Sequence, residues 1–205
     1  MTNTIKKTLS ILLLIMLSAC TKDKPQSLTY LVNNSTSKIG WKGSASDHAH
    51  IGSFDLNGTV ITNPDGTVKS GDFTIPVASI MDYDLTDPVK QQLLDDLKSA
   101  NFFKIATYPD TKFIITGIAP YAGTDTSVVQ GANYLLTGDF TMIGETHALS
   151  FPAKISQTGD SLKTEAKFKL DRTKWGMNIY NDPSKPLYIY TDVNISLHIL
   201  AARSK

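Results

Sequence analysis

The residues of this chain best suited to metal binding are its histidines, three of which have a possible second ligand two positions away. His48 and His50 lie two positions apart, and so do Glu145 and His147. Because residues i and i+2 of a β-strand share one face, either pair could contribute two ligands to a zinc or copper ion. Such a site would need a third and a fourth ligand from elsewhere, and the alternative is a pair of partly exposed histidines. We therefore assign no metal-binding residue from the sequence.

Catalytic motifs are the second chemical possibility. No Gly-x-Ser-x-Gly turn stands between a strand and a helix, and the chain has neither a glycine-rich phosphate loop nor a dinucleotide-binding fingerprint. Asp171 and Arg172 are adjacent, which is typical of an ion pair or a turn anchor. The enzymatic alternative is a hydrolase or metal-dependent enzyme that uses His50, His147 or His198. We expect a protein that is not an enzyme, with no catalytic residue and no cofactor.

The elements that position these residues are mainly β-strands, because apolar residues recur with a period of two. The last segment shows the pattern best, and its apolar face carries Leu187, Ile189, Val193, Ile195, Leu197 and Ile199. Turn residues, such as those at 63–66 and 158–160, separate the alternating segments. The pattern predicts eight strands, near 38–46, 52–62, 66–79, 111–119, 131–143, 146–157, 161–171 and 187–200.

These strands are long, and each has one apolar face to bury. Long antiparallel strands bury that face and lose their exposed edges when they close into a barrel. A two-sheet sandwich is the structural alternative. Pro76 and Pro152 lie inside predicted strands and lack the N–H group that a ladder hydrogen bond requires. They therefore predict a bulge, a bend or a sheet edge at each position.

A single helix interrupts the strands. Asp87 is a suitable N-cap residue, and Pro88 suits the first helical position. Val89, Leu93 and Leu97 then recur every four residues, which indicates an amphipathic helix. We expect this short helix to pack across one end or one side of the barrel.

The first twenty residues have the layout of a secretory signal. Lys6 and Lys7 give a basic start, an apolar stretch runs from Leu9 to Leu17, and Cys20, the one cysteine of the chain, follows a serine and an alanine. The apolar stretch is about half of the roughly 20 residues that a transmembrane helix needs. Ending on cysteine resembles the lipobox of bacterial lipoproteins, in which the thiol receives a diacylglycerol before cleavage. That resemblance implies lipidation at Cys20.

These features divide the chain into a signal peptide (residues 1–19), a lipidated cysteine with a polar tether (20–27) and a barrel domain (28–205). Removing the signal peptide takes away two lysines and no acid, so the formal charge changes from +1 to −1. This balance gives no field that attracts nucleic acid. By the sorting rule of enteric lipoproteins, Thr21 implies a cell-envelope protein anchored in the outer membrane and facing the periplasm. The tether would also permit surface display.

Seven short motifs follow one another along the domain. They are Ile39-Gly40-Trp41-Lys42-Gly43, His50-Ile51-Gly52-Ser53-Phe54, Gly71-Asp72-Phe73-Thr74-Ile75, Leu97-Lys98-Ser99-Ala100-Asn101-Phe102-Phe103, Tyr108-Pro109-Asp110-Thr111-Lys112-Phe113, Leu136-Thr137-Gly138-Asp139-Phe140-Thr141-Met142-Ile143-Gly144 and Asp171-Arg172-Thr173-Lys174-Trp175-Gly176. Their order and spacing resemble the YceI-like family of secreted bacterial proteins, in particular its lipid-anchored members. One departure lies at the helix, where many family members carry Arg-Asp-x-His-Leu and this chain has Leu-Leu-Asp-Asp-Leu at residues 93–97.

The resemblance implies an all-β fold, a lipocalin-like antiparallel barrel of eight strands. It also implies a long apolar ligand held lengthwise in the barrel for sequestration or transport, namely a polyisoprenoid, an isoprenoid quinone or a fatty-acyl amide. An eight-stranded barrel is either filled by its own side chains or holds one small ligand. The alternative is therefore a filled barrel that acts as a scaffold or stress-response protein without a small-molecule ligand.

Aromatic residues on the predicted inward faces are the candidate ligand contacts. They are Trp41, Phe54, Phe73, Phe102, Phe103, Phe113, Phe140 and Phe168. Such residues either line a tunnel or pack against each other as an ordinary core. Phe102 and Phe103 are the strongest candidates, because the segment after the helix can lie at a barrel mouth. We interpret Asp171, Trp175 and the loop at 177–186 as part of a gate.

Overall fold

A computed structural model describes residues 26–204. The strands are β1 (Leu28–Val32), β2 (Lys38–Ser44), β3 (Ala49–Phe54), β4 (Asn57–Thr62), β5 (Val68–Pro76), β6 (Met81–Asp82), β7 (Asp110–Pro120), β8 (Tyr134–Met142), β9 (Glu145–Thr158), β10 (Ser161–Asp171) and β11 (Asp192–Arg203), and the helix α1 spans Val89–Lys98. Short 3-10 helices occupy Val77–Ser79 and Arg172–Trp175. Within this part of the chain, no helix has both the length and the apolar character needed to cross a membrane.

The strands form one closed antiparallel barrel. Hydrogen-bonded neighbours run in the order β1, β4, β5, β7, β8, β9, β10 and β11, and β11 pairs back with β1. The three remaining strands extend this cylinder: β2 also pairs with β11, β3 pairs with β2, and β6 pairs with β3. Thus β1 and β2 form one interrupted barrel strand, as do β3 and β4, and β5 and β6. The predicted all-β barrel of eight strands is confirmed, and the sandwich alternative is wrong.

The strands differ from the sequence prediction in three main respects. The segment near 52–62 is broken between β3 and β4, and the predicted list omitted β1, whose Tyr30 is fully buried. The last strand begins at Asp192 instead of residue 187. Residues before it are held by loop contacts: the Ile189 amide donates to the Tyr180 carbonyl, and the Tyr190 amide donates to the Ser44 carbonyl. Leu187, predicted to point inward, is consequently 67% exposed.

Both strand prolines mark an interruption, as the sequence predicts. Pro76 is the last residue of β5, and a 3-10 helix bends the chain directly after it. Pro152 lies within β9, one residue beyond the Ala153–Ala166 pair at which pairing with β10 stops. Proline therefore sits at a bend in the first case and at a free strand edge in the second.

The helix connects β6 to β7, and its inner side closes onto the barrel. Leu94 is buried in the core, and Leu97 packs against the same cluster. The predicted cap at Asp87 is wrong, because Pro88 occupies the N-cap position and no side chain caps the helix. The Pro88 carbonyl accepts the Gln92 amide and the Thr86 carbonyl accepts the Lys90 amide, so helical hydrogen bonding begins before Val89. Val89, predicted to belong to the apolar stripe, is 52% exposed.

Candidate functional site: an apolar cavity inside the barrel

A cavity of about 270 Å³ runs inside the barrel, and its wall includes residues of β2 and of every barrel strand except β1. This arrangement follows from strand alternation, which turns one apolar side chain in two toward the axis. On β11, Val193, Ile195, Leu197 and Ile199 all line it. At about 3.3 Å per residue, these four positions span roughly 20 Å along the barrel. The cavity is therefore long and narrow, and its volume lies just under the roughly 300–1,000 Å³ typical of ligand pockets.

All eight aromatic residues singled out from the sequence lie on this wall. They are Trp41, Phe54, Phe73, Phe102, Phe103, Phe113, Phe140 and Phe168. Several also contact each other: Phe54 meets Phe103 edge-on with ring centroids 5.5 Å apart, and Phe73 lies 6.4 Å from Phe113. The structure thus brings the predicted set together around one space. Their contact with a ligand stays a prediction.

One aromatic wall residue, Phe151, was not among the ligand contacts predicted from the sequence. Its ring stacks on Phe168 with centroids 4.3 Å apart and planes inclined by 10°. The signal was present, because Leu149, Phe151 and Ala153 alternate in the predicted strand. Phe151 and Leu149 both line the cavity.

Glycines on the inward faces leave room for rings to lie along the wall. A Cβ at Gly71 would lie 2.9 Å from the Phe73 ring and 2.9 Å from Ile115 Cδ1. A Cβ at Gly138 would lie 2.5 Å from the Phe113 ring. Both distances are shorter than van der Waals contact, so a larger residue at either position would push its aromatic neighbour. The glycines help to keep the axis of the barrel open.

One polar atom in the wall has no partner within the described part of the protein. Trp41 lines the cavity, and its indole Nε1 is buried without a hydrogen-bond acceptor. A buried donor left unpaired costs about 1–3 kcal/mol. This N–H group is therefore available to a ligand that carries an acceptor oxygen.

Most polar lining residues, including the charged ones, lie at the barrel end that holds α1 and the β2–β3 hairpin, whereas Thr164, which pairs with Ile155, lies at the other end. Those at the α1 end include Ser44, His48, His50, Asp96 and Arg172. The opposite end of the cavity is bordered by apolar residues such as Val68 and Ile155. A ligand with one polar end would match this distribution with its chain inside and its head at the polar end.

Arg172 ties the segment after β10 to the rim of the cavity. Its side chain is 3% exposed and donates to the carbonyls of Met177, Ile189 (3.0 Å) and Tyr190 (3.3 Å). Burial lowers the pKa of the Arg172 guanidinium from its ordinary value, and the negative charge of Asp171 opposes that shift. Because Met177 and Ile189 also line the cavity, this side chain fixes part of the wall.

The residues interpreted as a gate have separate positions. Asp171 accepts hydrogen bonds from the Thr173 amide (3.0 Å) and hydroxyl (2.7 Å), which makes it a turn anchor. Trp175 is 2% exposed and lies in a smaller core cluster outside the cavity wall. Its Nε1 donates to the Phe140 carbonyl at 2.9 Å. Of the loop at 177–186, Met177 faces the cavity.

The four histidines each contact a carboxylate. His48 pairs with Asp47 at 2.7 Å, His147 with Glu145 at 3.2 Å and His198 with Glu165 at 3.8 Å, and all of these side chains are substantially exposed. His50 differs, because two carboxylates, those of Asp82 and Asp84, lie near it. The proposed lipidation residue, Cys20, lies outside the described residues.

Comparison with known proteins gives a consistent fold. A family model described as a YceI-like domain matches residues 30–201. Among solved structures, Burkholderia cenocepacia BcnA has a TM-score of 0.66 and 22% identity, with 83% of this chain and 99% of that chain covered. A polyisoprenoid binding domain from Saccharophagus degradans has a TM-score of 0.59 and 11% identity, with 86% and 99% covered. The YceI protein of Campylobacter jejuni has a TM-score of 0.56 and 20% identity, with 75% and 84% covered.

No curated protein sequence matches this chain. Because the identities to these solved structures are below 25%, the comparison shows that the barrel fold is shared.

Proposed function

This chain belongs to the YceI-like family, and we propose that it binds one long apolar ligand inside the barrel. The observation that carries the proposal is the cavity, whose wall combines inward-facing apolar residues from β2 and from every barrel strand except β1. The polyisoprenoid binding domain of Saccharophagus degradans, which shares the fold, supports this ligand class. The role is sequestration or transport, since the barrel shields an insoluble chain from water.

Burial of the chain supplies the affinity. Each methylene transferred from water to an apolar wall contributes about 0.8 kcal/mol. A chain of roughly 15 carbons gains on the order of 10 kcal/mol before the entropic costs of association. A slender ligand such as a polyisoprenoid, the tail of an isoprenoid quinone or a fatty-acyl amide suits the narrow cavity.

The unpartnered Nε1 of Trp41 favours two members of that set. A quinone or amide carbonyl can accept this hydrogen bond, whereas a pure hydrocarbon chain cannot. We therefore place a carbonyl-bearing head group beside Trp41. No catalytic step is part of the proposal.

The anchoring proposal rests on the sequence of the first twenty residues. Cleavage before Cys20 and acylation of its thiol would hold the barrel at the cell envelope, in the outer membrane and facing the periplasm. Two or more acyl chains give stable membrane attachment. Mass spectrometry of the mature N-terminus tests it: a triacylated Cys20 supports the anchor, and an unmodified N-terminus refutes it.

An inward charge tests the binding site. Phe140→Asp places a carboxylate on the cavity wall, and Ile114→Asp makes the same type of change at an outward position that is 45% exposed. Delipidated protein is loaded with a long-chain quinone, passed through gel filtration and assayed for retained quinone. We expect retention by the wild type and by Ile114→Asp, and loss in Phe140→Asp.

Folding of each variant is checked by circular dichroism. Leu197→Gln, a milder change at another wall position, gives the same test if Phe140→Asp does not fold. Quinone retention at the wild-type level in a folded wall variant would contradict the cavity as the binding site. Absence of retention by the wild type itself, across quinones and fatty amides, would favour the filled-barrel alternative.

A further inference from the structure

Three potential metal ligands converge at the polar end of the barrel. His50 belongs to β3, Asp82 ends β6, and Asp84 follows two residues later. Pairing of β3 with β6, with Gly52 opposite Asp82, brings the three side chains to one place. One donor atom from each lies within 4.8 Å of the donor atoms of the other two.

Asp82 is an unusual member of this group because it is completely buried. Its side chain accepts the Leu85 amide through Oδ1 at 2.8 Å, while Oδ2 has no hydrogen-bond donor in the described part of the chain. Among the ion pairs of residues 26–204, none includes Asp82. Buried charges in proteins are ordinarily paired or coordinate a metal. The unpartnered Oδ2 therefore leaves Asp82 with an open ligand position, and one oxygen of this carboxylate lies within 4.8 Å of the donor atoms of His50 and Asp84.

Hydrogen bonds also position the other two side chains of the cluster, His50 and Asp84. His50 Nδ1 lies 2.9 Å from Asp84 Oδ2, and Asp84 Oδ1 accepts the Ile51 amide at 2.7 Å. Backbone hydrogen bonds to ligating carboxylates are a usual means of fixing them for a metal.

We propose that His50, Asp82 and Asp84 form a binding site for a divalent transition-metal ion, with Zn²⁺ as the ion that fits best. One imidazole and two carboxylates are typical zinc ligands, and three protein ligands leave a fourth position for water or another oxygen ligand. Mg²⁺ and Ca²⁺ fit less well, because they prefer six or more oxygen ligands. Coordination through His50 Nδ1 requires that nitrogen to be without a hydrogen, so any proton it carries toward Asp84 is released to solvent when the ion binds. The site does not depend on the apolar ligand.

The proposed metal site borders the cavity. His50 is itself a lining residue, so the ion lies in the wall at the polar end. His48 and His50, the histidine pair considered in the sequence, do not form this site together, because His48 pairs with Asp47 instead. The further ligands that His50 needs are Asp82, at the end of β6, and Asp84, two residues after it.

The test measures binding of Zn²⁺ alone to the full-length protein after treatment with a chelator. Isothermal titration calorimetry is compared for the wild type, Asp82→Asn, Asp84→Asn and the control His48→Asn, whose ring lies 5.2 Å from that of His50. The asparagine variants keep an oxygen that can accept the Leu85 or Ile51 amide. We expect one Zn²⁺ per chain, at least about tenfold weaker binding in both aspartate variants and no change in the control.

Three results would overturn the proposal. The first is no stoichiometric zinc binding, as expected if Asp82 and Asp84 share a proton instead. The second is wild-type affinity in folded Asp82→Asn or Asp84→Asn protein. The third is an equal loss in His48→Asn, which would indicate a surface histidine pair. His50→Gln provides the same comparison if Asp82→Asn is not folded by circular dichroism.

Discussion

Phe151 and Phe168 stack face to face, with centroids 4.3 Å apart, where β9 and β10 no longer share hydrogen bonds. The ladder between the two strands ends at Ala153 and Ala166, next to Pro152. Beyond that pair, side chains hold the barrel wall together. Trp175 contributes by packing edge-on against Phe140 and His147, at 5.3 and 5.4 Å.

Removing this stack should destabilise the barrel. Phe168→Ala deletes one ring of the pair and leaves a cavity, a change that typically costs about 3–5 kcal/mol. Urea denaturation measures the free energy of unfolding. Tyr190→Ala, at a position that is 42% exposed, is the control and should cost far less. Equal losses in the two variants would show that the stack does not hold β9 and β10 together.

Trp41→Phe should weaken binding of a ligand with a carbonyl head while keeping the ring in the wall. One hydrogen bond contributes about 0.5–1.5 kcal/mol, so quinone affinity should fall by roughly 2- to 10-fold, and affinity for a chain without an acceptor should not change. Competition binding measures both. Trp175→Phe is the matched control, since its Nε1 already donates to the Phe140 carbonyl.

The Trp175→Phe control distinguishes an effect on quinone affinity from an effect on the free energy of unfolding. Trp175→Phe should lower the free energy of unfolding with little effect on quinone affinity, because Trp175 lies outside the cavity wall. Trp41→Phe should leave stability unchanged or improve it, because an unpartnered buried donor is removed. Unaltered quinone affinity in Trp41→Phe would contradict the position assigned to the head group.

Gly71→Ala should narrow the cavity. The added Cβ meets side-chain atoms of Phe73 and Ile115, which can move toward the axis, at a cost of about 1–3 kcal/mol in overpacking. We expect several-fold weaker quinone binding. Gly117→Ala is the control, because Gly117 lies outside the cavity wall and a Cβ there would make only an ordinary contact, 3.6 Å from Thr137 Cβ. Equal quinone affinities for the two variants would indicate that Phe73 does not border the ligand.

Arg172→Lys should loosen the rim of the cavity. An ammonium group cannot reproduce three donations from one planar guanidinium, so the loss of hydrogen bonds should cost about 1–3 kcal/mol. Hydrogen exchange at the amides of Ile189 and Tyr190 should become faster. Arg203→Lys, at an exposed residue that pairs with Asp160 at 3.5 Å, should leave that exchange unchanged. Identical exchange in the two variants would contradict the role of Arg172.

Much of the barrel could be predicted because strand formation leaves a local pattern in the sequence. Alternation of apolar residues along each strand places Phe140 and Phe168 on inward faces, and these positions do line the cavity. The break between β3 and β4 could not be predicted from the sequence, because their segments form one continuous alternating pattern. The start of β11 was missed for another reason: Tyr190 bonds to Ser44, a partner far away in the chain.

The metal-ligand cluster depends on long-range register and was therefore not predictable. Asp82 and Asp84 lie more than thirty residues from His50 in the sequence, and only the pairing of β3 with β6 brings them together. The unpartnered Nε1 of Trp41 is likewise a property of packing. Spacing identifies a tryptophan on an inward face but does not show whether its donor has an acceptor.

The most direct test of a ligand-binding barrel is native mass spectrometry of residues 21–205, purified without detergent from a bacterial periplasm and then extracted with organic solvent. We expect one discrete added mass per chain, which extraction releases as a carbonyl-bearing isoprenoid or fatty-acyl compound. A bare polypeptide mass that is unchanged after incubation with quinones and fatty amides would contradict the account, because the apolar cavity would then have no ligand.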